Sequence, residues 1–370
     1  MKTKPKSVSI ILFLSVLIML VSCGKQKAEW KGTIEEENGV TVVKNPKEPI
    51  YSENVFSLEE ELSIGKAEGK EEFMFSLISG IAVDENERIY VLDYKEAHVK
   101  IFDKNGYYIK TVSRRGQGPG EMNAPFSICI TNQNEIMVQD LNNHRIIFFS
   151  LNGDFIRSLS TAKIIIVGSY IDSNGNIIGI VSTRGPERQV IELKKFSPNL
   201  DYLFSLCSFS LPSSSSSFNP FGSELRWAVG QEDNIICGYS EVYELNVYNS
   251  EGKLIKKITK EFDPVRITQN EIDDIKKRFP IPMKLDIPSY HSAYQDLTVD
   301  EKNRIFVMTW EKSKDGKGYY HDVYDSEGRY TVKIPLKMKP LIWKKNKLYT
   351  VEEDEKGFQM VKRYKVTWKY

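Results

Sequence analysis

IAVDENERIYVLD (81–93) and HVKIFDKNGYYIKTV (98–112) each read as two short apolar strands joined by a polar turn. Val, Ile, Tyr and Phe favour strands, whereas the intervening Asp, Asn and Gly favour tight turns. Ile81 and Ile89 are eight residues apart, which is the spacing of a short strand followed by a tight hairpin. The two stretches therefore predict one antiparallel sheet of four strands.

The same pattern recurs along the rest of the chain, with anchor residues 41 to 70 positions apart. Near-copies of one unit favour a ring of blades over a β-sandwich, and strands that are apolar on both faces fit blades that pack on both sides. We therefore predict an all-β fold, a six-bladed β-propeller of four-stranded antiparallel blades over residues 39–370. The further repeats are 128–140 with 145–159, 170–181 with 190–206, 227–239 with 243–258, 297–309 with 321–334, and 341–353 with 358–366.

The last repeat contains only three strands before the chain ends. Residues 55–64, VFSLEEELSI, precede a Gly-rich segment just as YYIKTVSRR (107–115) precedes another. We expect the N-terminal strand 55–64 to complete the sixth blade, because this pairing joins the two ends of the ring and removes exposed sheet edges.

The first 22 residues have the features of a secretion signal. Three lysines at positions 2, 4 and 6 precede an apolar run, 8–21, that is shorter than the roughly 20 residues of a membrane-spanning helix. LVSC (20–23) resembles a bacterial lipobox, which implies cleavage before Cys23 and lipid attachment to it; the alternative is an ordinary secretion signal.

Residues 23–38 are polar and lack periodicity, so they are predicted to be a flexible tether. With the lipid anchor, the prediction is a cell-envelope protein of the outer membrane, on its periplasmic or its surface face. The 51 Lys and Arg balance 50 Asp and Glu, so no net field attracts nucleic acid or an anionic surface.

Cysteine and histidine are scarce, with 4 residues of each. This number argues against a dense disulfide scaffold or a Cys/His zinc array. Beyond Cys23, the chain has Cys129, Cys207 and Cys237, which allow at most one disulfide. Because Cys129 and Cys237 lie in apolar strands of different repeats, we expect buried free thiols rather than a bridge.

Two segments resemble known families. VQDLNNHRIIFF (138–149) resembles the strand–turn–strand core of NHL repeats, with Asp140, Asn143 and Arg145 in the expected places, followed by Ile146. RRGQGPGEMNAP (114–125), together with the lipobox, resembles the six-bladed β-propeller lipoproteins of Bacteroides-type bacteria. The resemblance implies the fold and an envelope location, and it implies no defined activity.

The two faces of the predicted ring carry turns of different length. The first-to-second and third-to-fourth turns share one face and are short, whereas the second-to-third and blade-to-blade loops share the other. We name these the short-turn face and the long-loop face, and we expect function on the long-loop face, at the mouth of the channel, because variable loops on a rigid scaffold carry sites. The long segments are 113–125, 182–189, 207–226, 259–296 and 310–321.

The segment 259–296 is predicted to contain a helix over about 268–279. Thr268 and Glu271 form a capping-box pattern at its start, and Pro280 ends it.

Aromatic and cationic residues are concentrated on the long-loop face. Tyr, Trp and Arg anchor protein interfaces and stack on sugars, which makes them candidate ligand-binding residues. The alternative is that they cover the seams between blades. The candidates are Tyr94, Arg114, Arg115, Arg184, Arg226, Trp310 and Tyr320.

Other patterns do not identify catalytic residues. Gly65 to Lys70 has one residue too few between its glycines for a phosphate loop. Asp93 and Asp140 end second strands, and we expect them to hold their own turns or, for Asp140, to pair with Arg145. The histidines show no metal-ligand spacing within a strand or helix, so neither a metal site nor a cofactor is predicted. They are His98, His144, His291 and His321.

These features favour a monomeric, non-catalytic module that binds a glycan, a peptide or a partner protein. The alternative function is a metal-assisted lyase or hydrolase with its site at the mouth of the central channel, an analogy that rests on the fold alone.

Overall fold

The computed structural model describes residues 29–212, 217–278 and 284–369. The predicted signal 1–22 and Cys23 lie outside the described residues. Three strands precede the first blade: β1 (Thr33–Glu37), β2 (Val40–Asn45) and β3 (Phe56–Ile64). Blades 1 to 3 follow, each made of four consecutive antiparallel strands. Their bounds are β4 Ile78–Val83, β5 Ile89–Asp93, β6 His98–Phe102, β7 Tyr108–Val112, β8 Pro125–Ile130, β9 Glu135–Asp140, β10 Arg145–Ser150, β11 Phe155–Ser160, β12 Ile166–Ile171, β13 Ile177–Arg184, β14 Arg188–Phe196 and β15 Tyr202–Pro212.

The remaining strands form blades 4 to 6, and the predicted all-β six-bladed ring is confirmed. A short parallel pair and helix α1 (Gln269–Arg278) lie in the loops around blade 4, and the capping box forms between Thr268 and Glu271. The bounds are β16 Ser217–Phe218, β17 Leu225–Val229, β18 Ile235–Tyr239, β19 Glu244–Tyr248, β20 Leu254–Lys260, β21 Lys284–Leu285, β22 Asp296–Val299, β23 Ile305–Lys312, β24 Tyr319–Tyr324, β25 Tyr330–Leu336, β26 Ile342–Lys344, β27 Lys347–Glu353 and β28 Gln359–Trp368.

Many of the short turns are held by one side chain in the same way. The Asp84 carboxylate accepts the backbone N–H groups of Asn86 and Arg88, both at 2.9 Å. An Asp or Asn that accepts N–H groups two and four residues later stabilises a tight turn through contacts within the turn itself. The same pair of bonds recurs in the short turns at Asp103, Asp172, Asn249, Asp300 and Asp325, and in the second-to-third turn of blade 6 at Asp354.

The hydrophobic core lies between neighbouring blades. Tyr90 and Leu92 of blade 1, for example, pack against Ile136 and Val138 of blade 2, and all four side chains are fully buried. Burial of such a side chain contributes about 1.5–3 kcal/mol, so the seams between blades hold the ring together.

The N-terminal segment closes the ring and continues around it. β3 pairs antiparallel with β28 as the fourth strand of blade 6, which confirms the predicted closure. β2 pairs in parallel with β20, the outer strand of blade 4, and β1 pairs with β2. Tyr51 makes a parallel bridge to Val332 on β25, the outer strand of blade 5. We name residues 33–64 the N-terminal belt.

The belt shortens the predicted tether of residues 23–38. Thr33–Glu37 is strand β1, so the polar, Glu-rich stretch belongs to the folded domain from residue 33 onward. No helix among the described residues is both long and apolar enough to cross a membrane.

Asn45 fixes the belt to blades 4 and 5. Its side chain is 4% exposed, and its Oδ1 accepts the Trp30 indole N–H at 3.0 Å and the Tyr330 backbone N–H at 2.7 Å. Its Nδ2 donates to the carbonyl oxygens of Thr259 at 3.1 Å and Gly328 at 3.0 Å. One buried amide therefore joins the end of β2 to strands that follow it by more than 200 residues.

The expectation of free thiols is wrong for two cysteines. Cys207 on β15 and Cys237 on β18 form a disulfide, with their Cα atoms 7.1 Å apart. The two residues belong to different repeats, but blades 3 and 4 are neighbours in the ring and their seam brings the two strands together. Cys129 is a free thiol, and burial raises its pKa to about 12.

Candidate functional site

The first strand of every blade contributes to the wall of a central cavity of about 750 Å³. This volume lies within the range of roughly 300–1,000 Å³ that is typical of small-molecule sites. The lining begins at Ile81 on β4 and at Trp227 on β17, past the start of each strand, and it includes turn residues such as Glu85 and Asn132. The cavity therefore lies towards the short-turn face, whereas the sequence predicted function on the long-loop face.

Three aromatic side chains, Tyr170, Trp227 and Trp343, lie in the wall of the cavity. The orientation of Trp343 is fixed, because its indole N–H donates to Thr298 Oγ1 at 3.0 Å and its ring stacks on Phe306 with centroids 4.1 Å apart. Aromatic walls supply flat apolar surfaces at a low cost in conformational entropy.

Neutral polar groups lie between these aromatic side chains. The Ser169 hydroxyl is buried and has no hydrogen-bond partner among the described residues, so it retains an unused donor and acceptor. The neutral polar side chains in the wall are Thr131, Asn132, Asn134, Ser169 and Thr298.

The charged groups of the wall are Glu85 and Lys344, which pair with each other at 2.7 Å across the seam between blades 6 and 1. The hydrogen bond from Lys344 lowers the pKa of Glu85, so the pair is ionised at neutral pH. Burial raises the pKa of Tyr170 and of Cys129 to about 12, which keeps both groups neutral. Within the described residues, no group of three or more His, Cys, Asp or Glu side chains lies close enough to hold a metal ion.

The predicted site residues of blade 1 lie in loops of the long-loop face. Arg115 donates to the carbonyl oxygens of Asn123, at 3.1 Å, and of Lys95, which places it beside Tyr94. Arg114 is exposed and pairs with Glu121 at 2.8 Å. These contacts hold the loop 113–125 against the second-to-third loop of the same blade.

Trp310 and Tyr320 lie together on blade 5. The Trp310 ring stacks on His291, with centroids 4.0 Å apart, and its indole N–H donates to Ser292 Oγ at 3.1 Å. His291 in turn lies 3.3 Å from the Glu271 carboxylate on α1. Trp310 therefore holds the inserted segment 259–296 against the ring, and Tyr320 is 7% exposed beneath Lys333.

The remaining two predicted residues lie on other blades. Arg184 is exposed at the end of β13, and Arg226 on β17 pairs with Glu224 at 2.6 Å. The structure thus spreads the seven predicted residues over blades 1, 3, 4 and 5, and none of them is among the residues that line the central cavity. The contacts of those on blades 1 and 5 agree with the alternative interpretation, in which such residues hold loops and seams.

Sequence analysis missed the aromatic residues of the cavity. Trp227 stands eight residues before Ile235, as Ile81 stands before Ile89, so an aromatic residue replaces an aliphatic one in the innermost strand. That replacement is a signal in the sequence, whereas the repeat pattern by itself predicts only a strand residue at this position.

As predicted, Asp93 holds its own turn and Asp140 pairs with Arg145; Asp140 in addition holds the backbone just before β8. Asp93 Oδ1 accepts the N–H groups of Lys95 and Glu96, and Asp140 Oδ1 accepts those of Asn123 and Ala124. The other oxygen of Asp140 lies 2.6 Å from Asn143 Nδ2 and 3.6 Å from the Arg145 guanidinium.

Comparison with known proteins agrees with this architecture. Residues 33–176 match the model of the family DUF5128, described as a 6-bladed beta-propeller. This chain is a six-bladed β-propeller. The propeller is similar to a protein of Bacteroides fragilis described as exported, with a TM-score of 0.58 and 12% identity over 89% of this chain and 100% of that one. It is also similar to a member of the DUF4221 family from Bacteroides vulgatus, with a TM-score of 0.51 and 13% identity over 85% and 99% of the two chains. No curated protein matches the sequence.

Proposed function

We propose that this propeller is an exported, lipid-anchored binding protein whose central cavity takes a neutral sugar. The observation that carries the proposal is the composition of the cavity wall, where Tyr170, Trp227 and Trp343 lie among hydroxyl and amide groups. Sugars present apolar C–H faces and a rim of hydroxyl groups, so they use both kinds of surface at once.

The charges of the wall favour a neutral ligand. Glu85 and Lys344 neutralise each other, and burial keeps the Tyr170 phenol protonated. A charged ligand would lose water on entering the cavity without gaining an unpaired partner of opposite sign, which is unfavourable.

The envelope location is proposed from the sequence and from one similar protein. The lysines at positions 2, 4 and 6, the apolar run and Cys23 form a lipoprotein signal pattern, and the similar protein of Bacteroides fragilis is described as exported. Replacing Cys23 with Ala is expected to move the protein from the membrane fraction to the soluble fraction of the envelope. A variant that stays with the membrane would contradict lipid anchoring.

The sugar site is tested by calorimetric titration of the mature protein with neutral gluco-, manno-, xylo- and galacto-oligosaccharides. We expect Trp227→Ala to weaken binding about tenfold or more, because a buried aromatic contact contributes about 1.5 kcal/mol or more. The matched control is Trp310→Ala on the long-loop face, which should leave binding unchanged. Absence of binding to all four sugars, or a loss confined to Trp310→Ala, would refute the proposal.

A further inference from the structure

A second cavity, of about 510 Å³, forms a groove at the seam between blades 2 and 3. Its wall on blade 2 follows the outer strand β11 through Arg157, Ser158 and Leu159, with Phe148 beneath them. Its wall on blade 3 includes two short turns, represented by Asn174 and Pro198, and the strand residues Ile171 and Ile177. The groove therefore runs beside an outer strand on the short-turn face, outside the central cavity.

The groove lies at the seam where the third-to-fourth turn of blade 3 lacks a glycine that the other turns of this kind contain. Four of the five third-to-fourth turns carry a glycine that packs on the outer strand of the preceding blade. A Cβ on Gly153 would lie 2.1 Å from Val112, and a Cβ on Gly106 would lie 2.8 Å from Leu62. Such close approach leaves no space at these seams; the other two glycines of this kind are Gly252 and Gly328.

In blade 3 the corresponding residue is Leu200, in the turn SPNLD (197–201). Its φ is +66°, a left-handed conformation that costs a bulky residue about 1–2 kcal/mol. In the other blades, the backbone of the turn approaches the outer strand of the preceding blade. In blade 3 the Leu200 side chain occupies this place, and it packs in the cluster that includes Leu159. Residues held in such strained conformations cluster at functional sites, so the groove beside Leu200 is a candidate site.

The outer edge of β11 is uncovered by any other described strand. β11 pairs with β10 and is the last strand of its sheet. Phe155 is 41% exposed and Ile156 is 45% exposed, so two adjacent large apolar side chains are accessible at this edge. An uncovered edge strand with apolar side chains is a template for pairing with another strand.

The chain itself shows what such an edge accepts. On blade 4, β2 adds in parallel to the outer strand β20, from Thr41 opposite Lys256 to Asn45 opposite Lys260. The addition buries Val42 and Val43, which are 5% and 0% exposed. The added strand is an extended segment of alternating β-branched residues, VTVV (40–43).

We propose that the outer edge of β11, with the groove beside it, binds an extended segment of a partner polypeptide as an added strand. The segment resembles β2 in chemistry: backbone N–H and C=O groups pair with β11, and an apolar side chain enters the groove beside Leu159. The Arg157 guanidinium, which lies 3.8 Å from the centroid of the Phe148 ring, forms the neighbouring part of the wall. In this mode of recognition, main-chain hydrogen bonds provide affinity and the pocket beside the strand provides specificity.

The probe is the capped peptide NGVTVVKN, which has the sequence of residues 38–45, added to the mature protein. Hydrogen exchange of the backbone amides of Phe155–Ser160 is measured with and without the peptide. At about ten times the dissociation constant of the peptide, exchange in β11 should slow about tenfold, because the bound form exchanges only after release. The outer strands β7 and β15 serve as internal references.

Two variants make the test specific. Asn174→Trp fills the groove and should abolish protection of β11, whereas Asn86→Trp, at the matching exposed position of the turn in blade 1, should leave it intact. Leu200→Gly gives blade 3 the turn of the other blades, so we expect the groove to close and peptide affinity to fall tenfold or more.

Three results would overturn the proposal. The first is an absence of protection in β11 of the wild-type protein. The second is equal protection in β7, β11 and β15, which means adsorption without a site. The third is a dimer in solution whose β11 amides are already protected before the peptide is added, because the edge then belongs to a second copy of this chain.

Discussion

Blades 4 to 6 and blades 1 to 3 have the same strand order, but their outer strands differ in what lies beside them. We name blades 4 to 6 the covered half, because the N-terminal belt lies along or supplies their outer strands, and blades 1 to 3 the uncovered half. The N-terminal belt pairs with the outer strands of blades 4 and 5 and supplies the outer strand of blade 6. The outer strands β7, β11 and β15 of blades 1 to 3 have no such neighbour among the described strands. The outer strands differ accordingly in their exposed large apolar residues: β3, β20 and β25 contain none, whereas β7, β11 and β15, with the residue just before β7, contain Tyr107, Ile109, Phe155, Ile156, Tyr202 and Leu203.

Tyrosine side chains at matching positions of two outer strands differ in exposure between the covered and the uncovered half. Tyr330 on β25 is fully buried, whereas Tyr202 on β15, at the same place after its turn, is 59% exposed. Identical architecture therefore gives different surfaces, because the environment of an outer strand depends on a segment that lies far away in the sequence.

The largest expected effect comes from deleting parts of the belt. Removing residues 29–64 takes away β3 and leaves blade 6 with three strands, so we expect loss of the cooperative thermal transition measured by circular dichroism. Removing residues 29–46 spares β3 and should give a folded ring with a lower Tm. Equal thermal transitions of the two deletion variants would show that closure of the ring by β3 adds no stability beyond that of residues 29–46.

The disulfide joins the two halves, because Cys207 lies on blade 3 and Cys237 on blade 4. The sequence separation of 30 residues corresponds to a loss of about 3.5 kcal/mol in the free energy of unfolding when the bond is removed, in the loop-closure account. Denaturant unfolding of the wild type should become easier in dithiothreitol. The double variant Cys207→Ala, Cys237→Ala serves as the control and should not respond to the reductant. An equal response of both proteins would mean that the bond does not form.

Replacing Asn45 with Ala tests the attachment of the belt. Its loss leaves the buried N–H of Tyr330 and the carbonyl of Gly328 without this partner, so unfolding should become easier by about 2–3 kcal/mol. On the uncovered half, Asn152 is exposed and accepts one long bond from Arg88, 3.4 Å, so Asn152→Ala should change stability by about 0.5 kcal/mol or less. Equal losses in urea titrations would remove the distinction between the halves.

Acid should weaken the covered half through His321. Burial lowers the pKa of His321 to about 4 in the folded protein, below its usual value of 6.5. The unfolded chain then binds more protons between these values, so stability is full above about pH 6.5 and falls as the pH drops towards 4. At pH 5.5 the loss is about 1.4 kcal/mol. His321→Asn should flatten this part of the pH–stability curve, and a similar flattening by His144→Asn, at an exposed position of blade 2, would contradict the assignment.

Most of the fold was readable because its determinants are local. The eight-residue spacing and the side chains that hold the turns, such as Asp84 and Asp300, lie within each repeat. Even the closing strand left a local trace, in the glycines that follow residue 64.

The belt was not readable, because its partners lie far away. TIEEE (33–37) has no apolar periodicity, and three of the four side-chain hydrogen bonds described for Asn45 join it to residues more than 200 positions later. The disulfide was missed for the same reason, since the facing of β15 and β18 depends on the packing of two blades.

The predicted site residues and the central cavity lie at different places, because the prediction followed loop length. The long loops of the insertion 259–296 are used in packing against Trp310, whereas the cavity is built from the short innermost strands. Leu200 carried a usable signal, a bulky residue where four other turns have glycine, but its meaning depends on the distance between two blades.

The pairing of β3 with β28 also imposes an order on biosynthesis. The ribosome makes β3 about 300 residues before β28, which at roughly 5–20 residues per second is a delay of about 15–60 s. Throughout that interval, one of the first strands to emerge has no partner to pair with. Completion of the ring is therefore a late event, and a nascent chain interrupted before its last ten or so residues retains an open circle.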